Sequence, residues 1–376
     1  MMANLNDNSS SSILRLPAEM KIEVMKSLPS IRDLRALLTT CGELYETFKG
    51  AEGVIVYQVL HNEIGPEVPI AVADYAASRG MTFESWDDHS KQVTAFCNLY
   101  LSKQGTELLL PKPSFSLDMA RYILEFRQDI DWLVEAIALQ TMKDMNSQAA
   151  PTATEKIRIR KSFYILDMVT WLCPRSPVTQ KQHRSPDISQ HDHTFSKFWS
   201  YFAPWESMQV YCLWRILACK MIPRQYSMSL LRVDPFGSGK AITHLGLRYV
   251  AQLLRAKQFS DLEYHIIVRL DEDPTTGNIR DLLCDAMYLW FKPVLPDNNI
   301  DHQEFEARWP DMRHYKVNID IQTLKRYNAD LDTGPRDTWL WTLESWAFML
   351  RDSGGLFAEG VRWKDGERGI DFGVLW

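Results

Sequence analysis

The sequence contains little that is typical of a secreted or membrane-spanning protein. Its six cysteines are scattered without a CxxC pair, which favours reduced thiols in core positions over a disulfide framework. The most apolar run, residues 210–222, is interrupted by Arg215 and Lys220 and is too short to span a bilayer, so it predicts a buried amphipathic helix. Residues 1–12 are polar and lack the features of a secretory signal, which predicts a disordered leader. We therefore expect a protein of the cytoplasm, the nucleus or both, with no membrane segment.

The sequence also lacks a long basic tract. The formal net charge is -6, and the Lys and Arg residues are spread along the chain, so nucleic acid is not an expected partner. One small basic cluster is made of Lys156, Arg158, Arg160 and Lys161. Its composition fits a nuclear import signal, but a charged helix face is the interpretation that we prefer.

Motifs of common enzyme classes are missing or incomplete. The sequence has no GxSxG nucleophile elbow and no HExxH zinc motif. Residues 237–240 read Gly-Ser-Gly-Lys, but a P-loop needs a glycine at Asp234 and a Ser or Thr at Ala241, so a plain loop is the better interpretation. Residues 271–273 are acidic, but Gly277 comes one place too late for an EF-hand loop, which indicates a solvated acidic turn.

A histidine-rich stretch is the remaining candidate for a metal site. Its members lack a compact cysteine and histidine spacing; they are His183, His191 and His193, with Asp187 and Asp192 beside them. Tryptophans after residue 287 suit a ligand or peptide groove, but the spacing in residues 339–350 is that of ordinary core. We expect no metal, no cofactor and no catalytic residue, and hence a protein that is not an enzyme.

Apolar residues recur at helical spacing over most of the chain. The clearest ladder runs through residues 119–137 and predicts one long amphipathic helix or a broken pair. Further helices are predicted over residues 54–64, 67–78, 199–222, 242–257 and 279–292. Loops are predicted at 146–154 and 174–193, one isolated strand at 264–270, and an irregular tail at 356–376. No fixed-period repeat is present, which argues against a solenoid or propeller.

Residues 13–50 predict three short helices. Pro17 can open the first, because the first turn of a helix has no use for the missing N–H. Met20, Val24 and Leu28 then fall on one face of that helix. A Pro-Ser pair ends it, and residues 31–38 build the second helix before a glycine separates off the third.

This segment resembles the F-box. The family pattern has Leu-Pro, an acidic residue two places on, aliphatic residues through the first helix, an Asp-Leu pair in the second, and a cysteine before an aromatic residue. The matching residues are Leu16-Pro17, Glu19, Asp33-Leu34 and Cys41, with Tyr45 or Phe48 where a tryptophan is usual. The resemblance covers about one eighth of the chain, and the motif is degenerate.

The resemblance implies a partner and a mode of binding. In the family, the F-box helices insert apolar residues into a Skp-type adaptor, which in turn holds a cullin and its ubiquitin-conjugating enzyme. By residue match, the contacts here are Leu16, Pro17, Met20, Val24, Met25 and Leu28. The residues that hold the three helices together are then Ile22, Leu34, Leu37 and Cys41. The resemblance implies that this chain supplies no catalytic residue for ubiquitin transfer. It holds a client near the conjugating enzyme, which the client then meets at high effective concentration.

The expected organisation follows from these observations. The fold is mostly α, with a disordered leader at residues 1–12, a three-helix F-box at 13–50, and a larger irregular helical domain at 51–376 that binds an unknown protein client. That larger domain resembles the helical, repeat-free C-terminal regions of fungal F-box proteins. The segment His61-Asn62-Glu63-Ile64-Gly65-Pro66 is an example of this resemblance.

Three hypotheses from different classes result. The first is a substrate-recognition adaptor of a Skp-cullin-F-box ubiquitin ligase. The second is an F-box scaffold that binds Skp but acts outside a ligase. The third is an enzyme or ligand-binding helical protein whose N-terminal segment only resembles an F-box, and a deep polar pocket with perturbed carboxylates or histidines would favour it.

Overall fold

The chain is helical in nearly all of the part that can be described. A computed structural model describes residues 12–79, 85–102, 115–144, 151–172, 194, 197–202, 204–217, 221, 246–255, 362–363 and 370–371. The helices in that part are α1 (Ala18–Lys26), α2 (Ile31–Leu38), α3 (Gly42–Ile64), α4 (Val68–Ser78), α5 (Trp86–Tyr100), α6 (Leu117–Asp144), α7 (Ala153–Leu172), α8 (Pro204–Ile216) and α9 (Leu247–Arg255). The predicted mostly α fold is confirmed.

The chain divides into two compact units. The first unit combines Met1–Ala76 with Lys103–Arg127, and the second combines Ala77–Ser102 with Gln128–Trp376. The first unit therefore holds the predicted F-box segment together with the residues that follow it.

Helix α3 is the main packing partner of α1 and α2 in the first unit. Its buried residues include Leu44, Phe48, Val56 and Val59. The backbone departs from helical geometry at Ala51, with φ -138° and ψ 20°, so α3 consists of two helical segments joined at a kink. The second segment reproduces the helix predicted over residues 54–64. Gly65 ends it with φ 65°, a left-handed conformation that glycine adopts without a steric penalty.

The long ladder of apolar residues forms the single helix α6, so the first of the two predicted alternatives is confirmed. Its buried residues follow the predicted stripe and include Ile123, Phe126, Ile130 and Leu133. The start of α6 is fixed by the Ser116 hydroxyl, which accepts a hydrogen bond of 3.2 Å from the backbone N–H of Met119.

Helix α7 is the most enclosed element described in the second unit. Thr152 and Glu155 form a capping box at its start: the Thr152 hydroxyl accepts from the Glu155 N–H at 3.2 Å, and the Glu155 carboxylate accepts from the Thr152 N–H at 2.6 Å. From Ser162 to Thr170 every side chain is buried, and the helix packs against α8. Near its end, the Asp167 carboxylate accepts a hydrogen bond of 2.7 Å from the backbone N–H of Leu247, which caps the start of α9.

Some predicted boundaries shift, and other predictions cannot be compared. Because the capping box starts α7 at Ala153, the loop predicted over 146–154 ends earlier than expected. Two antiparallel two-residue strands, Arg362–Trp363 and Ile370–Asp371, lie within the predicted irregular tail. Outside the described residues lie the predictions for 174–193, 237–240, 264–270, 271–273, 279–292 and 339–350.

Candidate partner-binding site

Helix α1 has one side turned into the first unit and one side turned to solvent. Lys21 and Met25 are buried, and they lie one turn apart on the same side. Met20 lies on the other side and keeps 52% of its surface exposed, more than any other large apolar side chain described in the first unit. An apolar side chain is therefore presented to solvent by a helix whose opposite side is anchored.

The anchor of α1 is an ion pair. The ammonium group of Lys21 contacts the carboxylate of Glu43 in the first turn of α3, and the Lys21 side chain is 6% exposed. A buried lysine is costly unless its charge is paired. The ion pair of Lys21 with α3 and the burial of Met25 lie on the same side of α1, and Met20 faces outward.

The predicted partner contacts separate into two groups. Leu16, Val24 and Leu28 are half-buried, while Pro17 is exposed and Met20 is largely exposed. These five residues form what we call the apolar row, defined as Leu16, Pro17, Met20, Val24 and Leu28. Met25 is completely buried; it packs in the core of the first unit and offers no surface to a partner, so it is left out of the apolar row.

The predicted F-box core residues also differ among themselves. Leu34 is completely buried, whereas Ile22, Leu37 and Cys41 are half-buried. In Ile22, Leu37 and Cys41, one part of the side chain therefore packs within the unit and the other part is exposed to solvent.

The two aromatic candidates of the resemblance take different positions. Phe48 is 1% exposed and fills the core, while Tyr45 is 41% exposed. The ammonium group of Lys49 lies 5.6 Å from the centre of the Tyr45 ring, within the range of a cation–π contact. Phe48 is thus the residue that occupies a buried aromatic position in α3.

The structure gives several polar residues of the first unit contacts that the sequence did not predict. Ser30 and Asp33 form a capping interaction at the start of α2, in which the Ser30 hydroxyl accepts from the Asp33 N–H at 3.1 Å. The Ser-x-x-Asp spacing is a local signal of a helix start and could have been found. Asn62 and Glu63 of α3 also contact the connection between α1 and α2. No local sequence pattern predicts such long-range contacts.

The basic cluster is part of the internal packing of the second unit. Lys156 pairs with Glu135 at 2.5 Å, and Arg160 pairs with Asp131 at 2.6 Å. Lys161 pairs with Glu206, and Arg158 is 3% exposed. The predicted helix is present, and the Lys156, Arg160 and Lys161 charges are paired with acidic groups of α6 and α8.

Two titratable groups of the second unit are shifted by burial. Burial raises the pKa of the Cys97 thiol to about 12, so the thiol is protonated at neutral pH. Burial lowers the pKa of His89, against the raising effect of its hydrogen bond with Leu172, whose carbonyl oxygen lies 2.8 Å from the imidazole Nε2. A neutral imidazole that donates from Nε2 satisfies this carbonyl at the end of α7.

The described residues contain neither a metal-binding cluster nor a membrane span. Within them, no three His, Cys, Asp or Glu side chains are placed to hold a metal ion. The helices of that same part include none with both the length and the apolar character that crossing a membrane requires. The predicted histidine-rich stretch, His183 to His193, lies outside the described residues.

Comparisons with known proteins identify no relative. The chain matches no protein-family model, and neither the curated proteins nor the solved structures contain a significantly similar one.

Proposed function

We propose that this protein is the substrate-recognition subunit of a Skp-cullin-F-box ubiquitin ligase. The observation that carries the proposal is the exposure of the apolar row, centred on the 52% exposed side chain of Met20 in α1. The row was defined from the residues that the F-box resemblance assigns to the adaptor contact, and of that set only Met25 is fully buried.

The energetics of the apolar row suit a partner of this kind. Full burial of one large apolar side chain contributes about 1.5–3 kcal/mol. Because Leu16, Val24 and Leu28 are already half-buried, a partner would gain only part of that from each. Met20 has the most exposed surface for a partner to bury, so we expect it to lie at the centre of the contact. Single exposed apolar residues are ordinary on protein surfaces, whereas here Met20 and Val24 of α1 are accompanied by Leu16, Pro17 and Leu28 from the segments that flank the helix.

The arrangement of the three helices supports the same function. α1 and α2 pack on α3, and the core of the unit contains Met25, Leu34 and Phe48. A partner can therefore bind the outer side of α1 without disturbing this core. No catalytic step is assigned to this chain, because the adaptor acts by bringing a client to the conjugating enzyme.

The proposal gives the remaining residues the role of binding an unknown protein client. Contacts from Asn62 and Glu63 join the predicted F-box segment directly to the second half of α3, so among the described residues 18–64 these two parts are not joined by a flexible linker.

A native pulldown tests this function. The full tagged chain is expected to retain both a Skp-type adaptor and a cullin, and Met20→Asp should lose both. Leu139→Asp is the matched control, because Leu139 is a 57% exposed apolar residue on α6 that is not a member of the apolar row. Retention of Skp without a cullin would favour a scaffold outside a ligase, and loss of neither protein in Met20→Asp would contradict the proposal.

A further inference from the structure

The connection between α1 and α2 is held by two side chains of α3. The Asn62 side-chain amide donates to the carbonyl oxygen of Lys26 at 2.8 Å and to that of Leu28 at 2.9 Å. The last carbonyls of a helix have no partner within the helix. One asparagine, with its two N–H donors, therefore satisfies two carbonyls where α1 ends.

The neighbouring residue acts on the helix that follows. The Glu63 carboxylate accepts a hydrogen bond of 2.8 Å from the backbone N–H of Ile31, the first residue of α2. This N–H has no partner within its own helix, and a carboxylate is favoured near the positive end of the helix dipole. Asn62 and Glu63 thus bind the end of one helix and the start of the next, and we call these two residues the α3 latch.

The orientation of the latch amide is itself determined by a contact. Gln58 lies one turn before Asn62 on α3, and its side-chain Nε2 donates to the Asn62 Oδ1 at 3.0 Å. With its oxygen occupied in this way, the Asn62 amide directs its nitrogen to the two carbonyls. Leu28, whose carbonyl is held, is the last residue of the apolar row.

We propose that the α3 latch positions the apolar row, so that Asn62 and Glu63 are positioning residues for binding the Skp-type adaptor. This inference rests on the proposed function. It places determinants of adaptor affinity in residues outside the segment that resembles the F-box, because the latch sets the angle between α1 and α2 and the position of Leu28. The latch residues themselves need not touch the adaptor.

Isosteric substitutions separate the two halves of the latch. Asn62→Asp replaces the donating amide by a carboxylate that repels both carbonyls, and the affinity for a purified Skp-type adaptor should fall about tenfold, equivalent to about 1.4 kcal/mol. Glu63→Gln keeps an oxygen that accepts from Ile31, so its affinity should stay within about twofold of wild type. Asn62→Ala removes the donors without adding charge and should give an intermediate loss, which retains a test if Asn62→Asp fails to fold.

Two control variants distinguish positioning from general damage. Asn98→Asp makes the same chemical change on α5, where the side chain accepts from the Tyr201 hydroxyl and continues to do so as a carboxylate. Ser116→Ala weakens the start of α6 within the described residues but leaves the α1–α2 connection intact. Neither should change adaptor affinity.

The outcomes separate the inference from the function on which it rests. If wild type does not bind the adaptor, the proposed function itself fails. If wild type binds and both Asn62 variants bind equally well, the latch inference is overturned. A loss of affinity in Ser116→Ala as large as that in Asn62→Asp would also overturn it, because the effect would then follow stability. Loss of affinity in the Asn62 variants alone, with Asn98→Asp and Ser116→Ala unchanged, supports the inference.

Discussion

Met20 and Met25 lie on the same helix, but Met20 is 52% exposed and Met25 is 0% exposed. Five positions along a helix separate two side chains by about 140° around its axis. The two methionines therefore face opposite environments, and this difference separates the part of α1 that supports the fold from the part that is available to a partner.

The first prediction concerns the stability of the first unit. Met25→Ala should reduce the free energy of unfolding by about 2–5 kcal/mol, because it leaves a cavity in the core. Met20→Ala should change it by no more than about 0.5 kcal/mol, since the side chain is exposed. Chemical denaturation of both variants measures this difference, and equal effects would place the two methionines in similar environments.

The second prediction concerns thiol reactivity. Because burial raises the pKa of Cys97 to about 12, its thiolate is scarce at pH 8 and the side chain is shielded. Alkylation of the native protein, followed by peptide mass spectrometry, should leave Cys97 unmodified while half-buried Cys41 reacts. In denaturant both should react at similar rates. Rapid modification of native Cys97 would contradict its buried position.

The third prediction concerns pH. The folded pKa of His89 is lowered below its ordinary value of 6.5 by burial, so below that pH the unfolded chain binds a proton that the folded chain excludes. Stability should therefore fall as the pH is lowered from 6.5 towards the folded pKa, and this contribution should be flat above about pH 7.5.

His89→Gln provides the control for this effect. Glutamine can donate to the Leu172 carbonyl but does not titrate. The difference in unfolding free energy between wild type and this variant should shrink or change sign as the pH falls from 7.5 to 5.5. A difference that does not vary with pH would show that His89 is not the titrating group.

The sequence predicted helices well because their main signal is local. The apolar ladder of α6 and the helical spacing of apolar residues over residues 67–78 depend on positions along the chain, and both helices form close to the expected positions. The same spacing did not separate Met20 from Met25, because an apolar stripe does not specify which of its edges meets the core. In the structure, the edge with Met25 and Lys21 meets the core, where Lys21 pairs with Glu43 of α3.

Long-range polar contacts were the other limit of sequence analysis. The basic cluster on α7 predicts a charged helix face, and only the positions of Asp131 and Glu135 on α6 show that its charges are paired. Asn62 and Glu63 likewise have no local signal, since their partners lie on a connection more than thirty residues earlier. Such contacts depend on tertiary packing, which residue spacing alone does not determine.

Calorimetric titration of the full chain with a purified Skp-type adaptor tests the central claim most directly. We expect wild type and Leu139→Asp to bind with a Kd below about 1 μM. Met20→Asp should show no detectable binding while keeping its helical circular dichroism, because its carboxylate would be buried in the contact without a partner. No binding by wild type, or equal binding by wild type and Met20→Asp, would contradict the assignment of this protein as an F-box adaptor.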